Sequence, residues 1–221
     1  MKFNTNSNTY IIIYSVVMVV VVAVLLSVAA LGLKPRQEAN MLNEKKTQIV
    51  KALGEDPATV AYDSVIAKAV ILDASGAVVS EDVNEVFAAL NDLKGSFAAG
   101  RFPLFVANNG VVVPLYGAGL WGPIWGYIAL DADMNTVKGI VLDHSGETPG
   151  LGAEITTPKH QAMYPGKTIY EGDAIVGVTL KKGGADKSNP HEVDAITGGT
   201  KTSDGVSAMI KDCLVSYKPY F

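Results

Sequence analysis

From Tyr10 to Leu33 the chain carries no charge, and its polar groups there are only Ser15, Ser27 and two tyrosine hydroxyls. A helix of about 20 such residues spans a bilayer, whereas the apolar core of a cleaved signal peptide is about 7–15 residues long. Ser27–Val28–Ala29 is a weak cleavage-site match, and length argues for retention. The pattern predicts a tail over residues 1–9 and a single transmembrane helix over 10–33. Gln37 to Leu53 is rich in helix formers, with Met41, Leu42, Ile49, Val50 and Leu53 as apolar contacts. Gly54 and Pro57 end it, which predicts a helical stalk within 34–57 and a folded domain over 58–221.

The domain reads mostly as strands and turns. Ala67 to Leu72 predicts a strand, and Glu81 to Leu93 a helix with Val83, Val86, Phe87 and Leu90 on one face. Leu104–Ala107 and Val111–Leu115 flank Asn108–Asn109–Gly110, a hairpin signal because Asn and Gly tolerate positive φ. Ile124–Leu130 and Val137–Leu142 flank a second polar turn, and Ala174–Leu180 predicts a further strand. Val206, Met209, Ile210, Cys213, Leu214 and Tyr217 recur at helical spacing and predict a closing helix over Val206–Tyr217. Runs of strands with few helices between them indicate an α+β domain with a mixed, largely antiparallel sheet.

Composition narrows the chemistry. Net charge is -4 and no cluster of Lys and Arg appears, which argues against nucleic acid as a partner. One cysteine, Cys213, builds neither a disulfide nor a Cys-rich metal site within the chain. No metal site and no catalytic triad is expected. Any redox centre here is organic or shared with another chain. A phosphate-loop signature is missing, and no G-x-G-x-x-G follows a strand and opens a helix, so neither a nucleotide triphosphatase nor an NADH-binding fold is supported.

The most informative segment is Asp194 to Ser203. A strand-like run meets Gly198 and Gly199, followed by Thr200, Lys201, Thr202 and Ser203 just before the last helix. The glycines permit close approach of a large group, Thr202 or Ser203 suits a helix cap, and a helix start favours phosphate. From these residues alone, a plain capping loop and a phosphate-bearing site both remain open.

Three motifs in order carry a resemblance. Thr197–Gly198–Gly199–Thr200 after Asp194 resembles the Ser/Thr–Gly–Ala–Thr loop of covalent FMN-binding domains, with Gly199 in place of the usual Ala. Gly117–Ala118–Gly119–Leu120–Trp121–Gly122 resembles their glycine-rich segment, and His144 to Gly152 resembles their GETPGLG segment. Leu33 to Asn40 also resembles the stretch after the anchor in C subunits of the Na+-translocating NADH:quinone oxidoreductase, and the G subunits of Rnf-type complexes are more distantly similar.

The resemblance implies FMN esterified through its phosphate to Thr200. Thr197, Gly198, Gly199, Thr202 and Ser203 form the attachment loop, and Asp194 belongs to the signal read by a flavin transferase. Trp121, Gly122, Glu147, Thr148, Leu151 and Gly152 lie at the flavin, with Trp125 a second aromatic able to pack on it. His144 and His191 read as structural, and Cys213 as a buried inert thiol. The implied function is electron carriage within a Na+-translocating NADH:quinone oxidoreductase. The implied partners are the other subunits, the transferase and membrane lipid. The implied place is the bacterial inner membrane, with the FMN domain periplasmic. The alternatives are an Rnf-type G subunit and a tethered scaffold without covalent cofactor.

Overall fold

The computed structural model describes residues 7–221, so residues 1–6 of the expected tail lie outside the described residues. Helix α1 (Asn8–Ala52) runs without a break and includes Pro35. Its apolar part is long and hydrophobic enough to cross a membrane, and none of that part is buried by protein. Two compact units are distinguished, residues 1–44 and Lys45–Phe221. In the first, Lys34 and Glu38 form an exposed ion pair one turn apart.

The second unit is α+β. It begins with the end of α1, followed by α2 (Tyr62–Val65), β1 (Ile66–Leu72) and β2 (Val78–Ser80). Next come α3 (Val83–Ala89), a 3-10 turn (Leu90–Asp92) and α4 (Leu93–Ala98). The helix expected over Glu81–Leu93 is thus two short helices. Asp82 ends the extended chain by accepting from the Asn84 N–H, and Asp92 accepts from the Gly95 N–H to start α4.

Strands β3 (Phe102–Ala107), β4 (Gly110–Ala118), β5 (Pro123–Leu130) and β6 (Val137–His144) follow as an antiparallel meander. With the first two strands they form a six-stranded sheet in the order β2-β1-β3-β4-β5-β6. The first hairpin turns at Gly110, whose φ of 119° suits glycine.

After β6 come a 3-10 turn (Gly152–Thr156), α5 (Pro158–Gln161), and two small strand pairs. The first is the hairpin of β7 (Tyr170–Glu171) with β8 (Ala174–Ile175); the second pairs β9 (Thr179–Lys181) in parallel with β10 (Glu192–Asp194). The single strand expected over Ala174–Leu180 is therefore divided. The cause is Gly177, at φ 70°, where a Cβ would meet the Lys211 backbone at 3.2 Å. The chain turns out of extended geometry there in order to pass the last helix.

That helix, α6 (Thr200–Tyr217), lies on one face of the sheet. Val206, Met209, Ile210, Cys213, Leu214 and Tyr217 join Leu104, Val113, Leu115, Ile128 and Leu142 in the larger core. The opposite face is covered by Ile49, Ala52 and Leu53 from the end of α1 and by Val86 and Phe87 of α3. Helix α6 begins six residues before the expected Val206. It is seated by backbone approach: a Cβ on Gly117 of β4 would lie 2.7 Å from Met209 Cβ, and one on Gly205 would lie 2.2 Å from the Ala118 carbonyl oxygen.

Candidate cofactor site

Three loops meet at the start of α6: residues 117–122 after β4, 144–152 after β6, and 195–199 after β10. Their meeting point is Glu147, only 4% exposed. Its Oε2 accepts from the Thr202 hydroxyl at 2.5 Å, and its Oε1 accepts from the Trp121 N–H at 2.9 Å. Burial pushes the carboxyl pKa up. Hydrogen bonds from Thr202 and from the Trp121 and Leu120 N–H groups, with His144 nearby, outweigh that and hold it below the usual carboxylate range. The loop is pinned again where His144 Nδ1 accepts from the Glu147 N–H at 3.2 Å, a structural role for His144.

Glycines make this convergence possible. A Cβ on Gly152 would lie 2.4 Å from both Glu147 Oε2 and Thr202 Oγ1, and one on Gly119 would lie 2.4 Å from Glu147 Oε1. Gly122 faces Ser145 Oγ at 2.5 Å by the same measure. Gly198, at φ 75°, has its Cβ position 2.6 Å from Leu151 Cδ2. Gly199 differs: its φ is -110° and its Cβ position is 3.0 Å from Ile196 Cγ2, a tight contact that a small shift accommodates.

The four hydroxyls of the loop have different surroundings. Gly199, not Thr202 or Ser203, is the N-cap residue of α6. Thr202 and Ser203 are each 1% exposed; Thr202 donates to Glu147, and Ser203 Oγ accepts from the Ile196 N–H at 3.1 Å. Neither caps the helix, because each serves another element. Thr197 is exposed and Thr200 half-buried. The N–H groups of Thr200, Lys201 and Thr202 lie in the first turn, where no acceptor within the helix reaches them. A helix start with free donors and an accessible hydroxyl, held in place by loops that glycine lets pack closely, fits a phosphate-bearing group.

The remaining predicted residues are placed as follows. Trp121 is 70% exposed, Leu151 42% exposed, and Thr148 lies on the surface, its carbonyl accepting from the Leu151 and Ala153 N–H groups. Leu120, part of the glycine-rich motif but not among the expected site residues, is exposed beside Trp121. Asp194 is exposed at the end of β10, and its Oδ1 accepts from the Ala185 N–H at 2.7 Å. Trp125 alternates with Tyr127 and Ala129 toward the face opposite α6, so it does not share the Thr200 side. His191 contacts Thr168 in a half-buried setting. Cys213 is buried against Tyr116, and burial pushes its thiol up to about 11, which keeps it inert.

The FMN-binding domain family model matches residues 119–215, a span that contains the second and third loops and all of the first but Gly117 and Ala118. The C subunit of a Na(+)-translocating NADH-quinone reductase from Pasteurella multocida is 40% identical over 146 residues, 63% of this chain and 56% of that protein. The corresponding protein from Pseudomonas aeruginosa is 30% identical over 238 residues, covering 94% of this chain and 91% of that protein. The chain belongs to the C-subunit family of Na+-translocating NADH-quinone reductases. Among solved structures, the C subunit from Parabacteroides distasonis matches with a TM-score of 0.78 and 36% identity, over 85% of this chain and 96% of that one.

The Parabacteroides distasonis C subunit thus shares the fold over most of this chain. These relatives carry the quinone-reductase name, not that of a ferredoxin-linked complex. The FMN-binding match favours a flavin-binding domain over a bare tethered scaffold. Gly119 and Leu120 lie within the glycine-rich motif but were not among the residues expected at the flavin. Their signal was present in the G-x-G spacing of 117–119, which marks a backbone that something must approach closely.

Proposed function

We propose that this member of the C-subunit family carries FMN as a phosphoester on Thr200 and relays electrons between neighbouring centres of a Na+-translocating NADH:quinone oxidoreductase. The observation that carries the reading is the state of the hydroxyls. Thr202 and Ser203 are buried and engaged, while Thr200 opens the first turn of α6 half-exposed beside free N–H groups. The positive end of the helix favours the phosphodiester charge at that residue. Attachment needs an activated flavin donor: Thr200 Oγ bonds to its phosphorus, the activating group departs, and the hydroxyl proton passes to a base of the flavin transferase.

Once bound, FMN supplies one- and two-electron redox chemistry. The chain's own residues fix the tether, shape the approach and set the local charge. Thr197, Gly198 and Gly199 form the tight turn that leads into Thr200, and Gly122, Thr148, Leu151 and Trp121 offer backbone and apolar surface to a planar ring. Asp194, the last residue of β10, belongs to the surface offered to the transferase.

Denaturing-gel flavin fluorescence tests the reading. The full chain co-produced with an active flavin transferase is expected to give a fluorescent band, and Thr200→Ala none. A dark parent band, with the transferase active on a control substrate, would show that no covalent flavin forms.

The proposal places α1 in the bacterial inner membrane in contact with lipid and the domain on the periplasmic side, where the transferase works. Long folded domains cross largely regardless of flanking charge, so Lys34 and Arg36 are no obstacle. Protease added to intact spheroplasts is then expected to digest the domain. Full protection until lysis would reverse the orientation.

A further inference from the structure

Family motifs group Glu147 with residues that touch the flavin, but its surroundings give it different work. Both carboxylate oxygens are occupied by protein donors from separate elements, the Thr202 hydroxyl of α6 on Oε2 and the Trp121 N–H of the loop after β4 on Oε1. Gly119 and Gly152 hold the space around it so closely that a Cβ on either would strike a carboxylate oxygen. A side chain enclosed in this way is held by protein atoms on each oxygen and sits 4% exposed.

Its leverage comes from helix geometry. Residues two apart on an α-helix point about 200° apart around the axis. Pinning Thr202 inward on Glu147 therefore turns Thr200 outward. The same bond removes the Thr202 hydroxyl from competition for the flavin. We infer that Glu147 is a positioning residue: through Thr202 it sets the facing of Thr200 and confines flavin attachment to that hydroxyl. This rests on the proposal that Thr200 bears the flavin.

The chemistry of the pair allows charge and geometry to be separated. In Glu147→Gln the amide oxygen still accepts from the Trp121 N–H. The amide nitrogen donates to Thr202, whose hydroxyl rotates to accept. In Glu147→Ala and Thr202→Val the bond is gone, and Thr202→Ser restores it. None of these changes touches Thr200 itself.

The experiment co-produces each full-length variant with an active flavin transferase. Flavin fluorescence per chain is followed over time in denaturing gels, and the modified peptide is identified by mass spectrometry. Thermal unfolding of the flavin-free protein is measured separately, and loading is followed well below each midpoint. Glu147→Gln and Thr202→Ser are expected to load within about twofold of the parent. Glu147→Ala and Thr202→Val are expected to load about tenfold more slowly or worse, the ratio that loss of one buried, charge-assisted hydrogen bond gives.

Parent-like loading of Glu147→Ala on Thr200 alone would overturn the inference while leaving the Thr200 reading intact. So would Glu147→Gln falling as far as Glu147→Ala, which would mean that the charge acts directly. A dark parent would overturn the reading and the inference together.

Discussion

Gly205→Ala is expected to destabilise the domain by about 2–3 kcal/mol, the range of an overpacked core position. The added Cβ would lie 2.2 Å from the Ala118 carbonyl oxygen and 3.3 Å from its carbon. That obstacle is backbone at the last residue of β4, so no rotamer change relieves it, and α6 must move away from the strand. Helix propensity works in the opposite direction, since alanine is better than glycine in a helix interior by about 1 kcal/mol, but it is the smaller term. Urea unfolding of the flavin-free protein measures the change. Lys211→Ala, on the exposed side of α6, serves as the reference and is expected to stay within about 0.5 kcal/mol of the parent. If Gly205→Ala were equally mild, the close seating of helix on strand would be wrong.

The second large effect concerns acid. His160 is 3% exposed; its Nε2 lies 3.0 Å from the Tyr164 hydroxyl, and its Nδ1 has no hydrogen-bond partner. Burial pushes the imidazole down to about 4 from 6.5, and the Asp194 charge pulls weakly the other way. The folded pKa lies below the unfolded one, so His160 is neutral in the native domain and the unfolded chain binds the extra proton. Its contribution to stability is therefore complete above pH 6.5. It is lost progressively as pH falls toward 4, by about 3 kcal/mol over that window. His160→Phe alone strands the fully buried Tyr164 hydroxyl and costs about 1–3 kcal/mol at neutral pH. His160→Phe with Tyr164→Phe removes both polar groups and recovers most of that cost. Thermal midpoints from pH 7 to 4.5 should fall less steeply in the double variant than in the parent. Parallel curves would mean that some other group sets the acid limb.

The meander β3–β6 was legible in the sequence because its turns announce themselves at Asn108–Asn109–Gly110 and Asp131 to Thr136, with apolar runs of strand length on either side. The larger core face of α6 was legible from its helical spacing. Its beginning was not, because four residues with polar side chains in a row look like a loop. Their helical state depends on partners far away in sequence: Thr202 bonds a residue 55 positions earlier, and no local pattern records that. The interruption at Gly177 was hidden for the same reason, since only the nearness of Lys211 demands it. Motif reading found the residues that meet at the site but misassigned what Thr202 and Ser203 do. A hydroxyl beside a helix start reads as a cap until another element claims it.

The separation between Thr202 and Glu147 also orders events in time. Contacts within the meander are close in sequence and are expected to form early, whereas bringing the last helix back to the β6 loop closes a long stretch of chain and is expected to come late. Until that closure, Thr202 has no anchor and Thr200 no fixed direction. On the proposed attachment to Thr200, a transferase that recognised the seated helix would distinguish a finished domain from a nascent or misassembled one, and the flavin it attached would record that folding was completed.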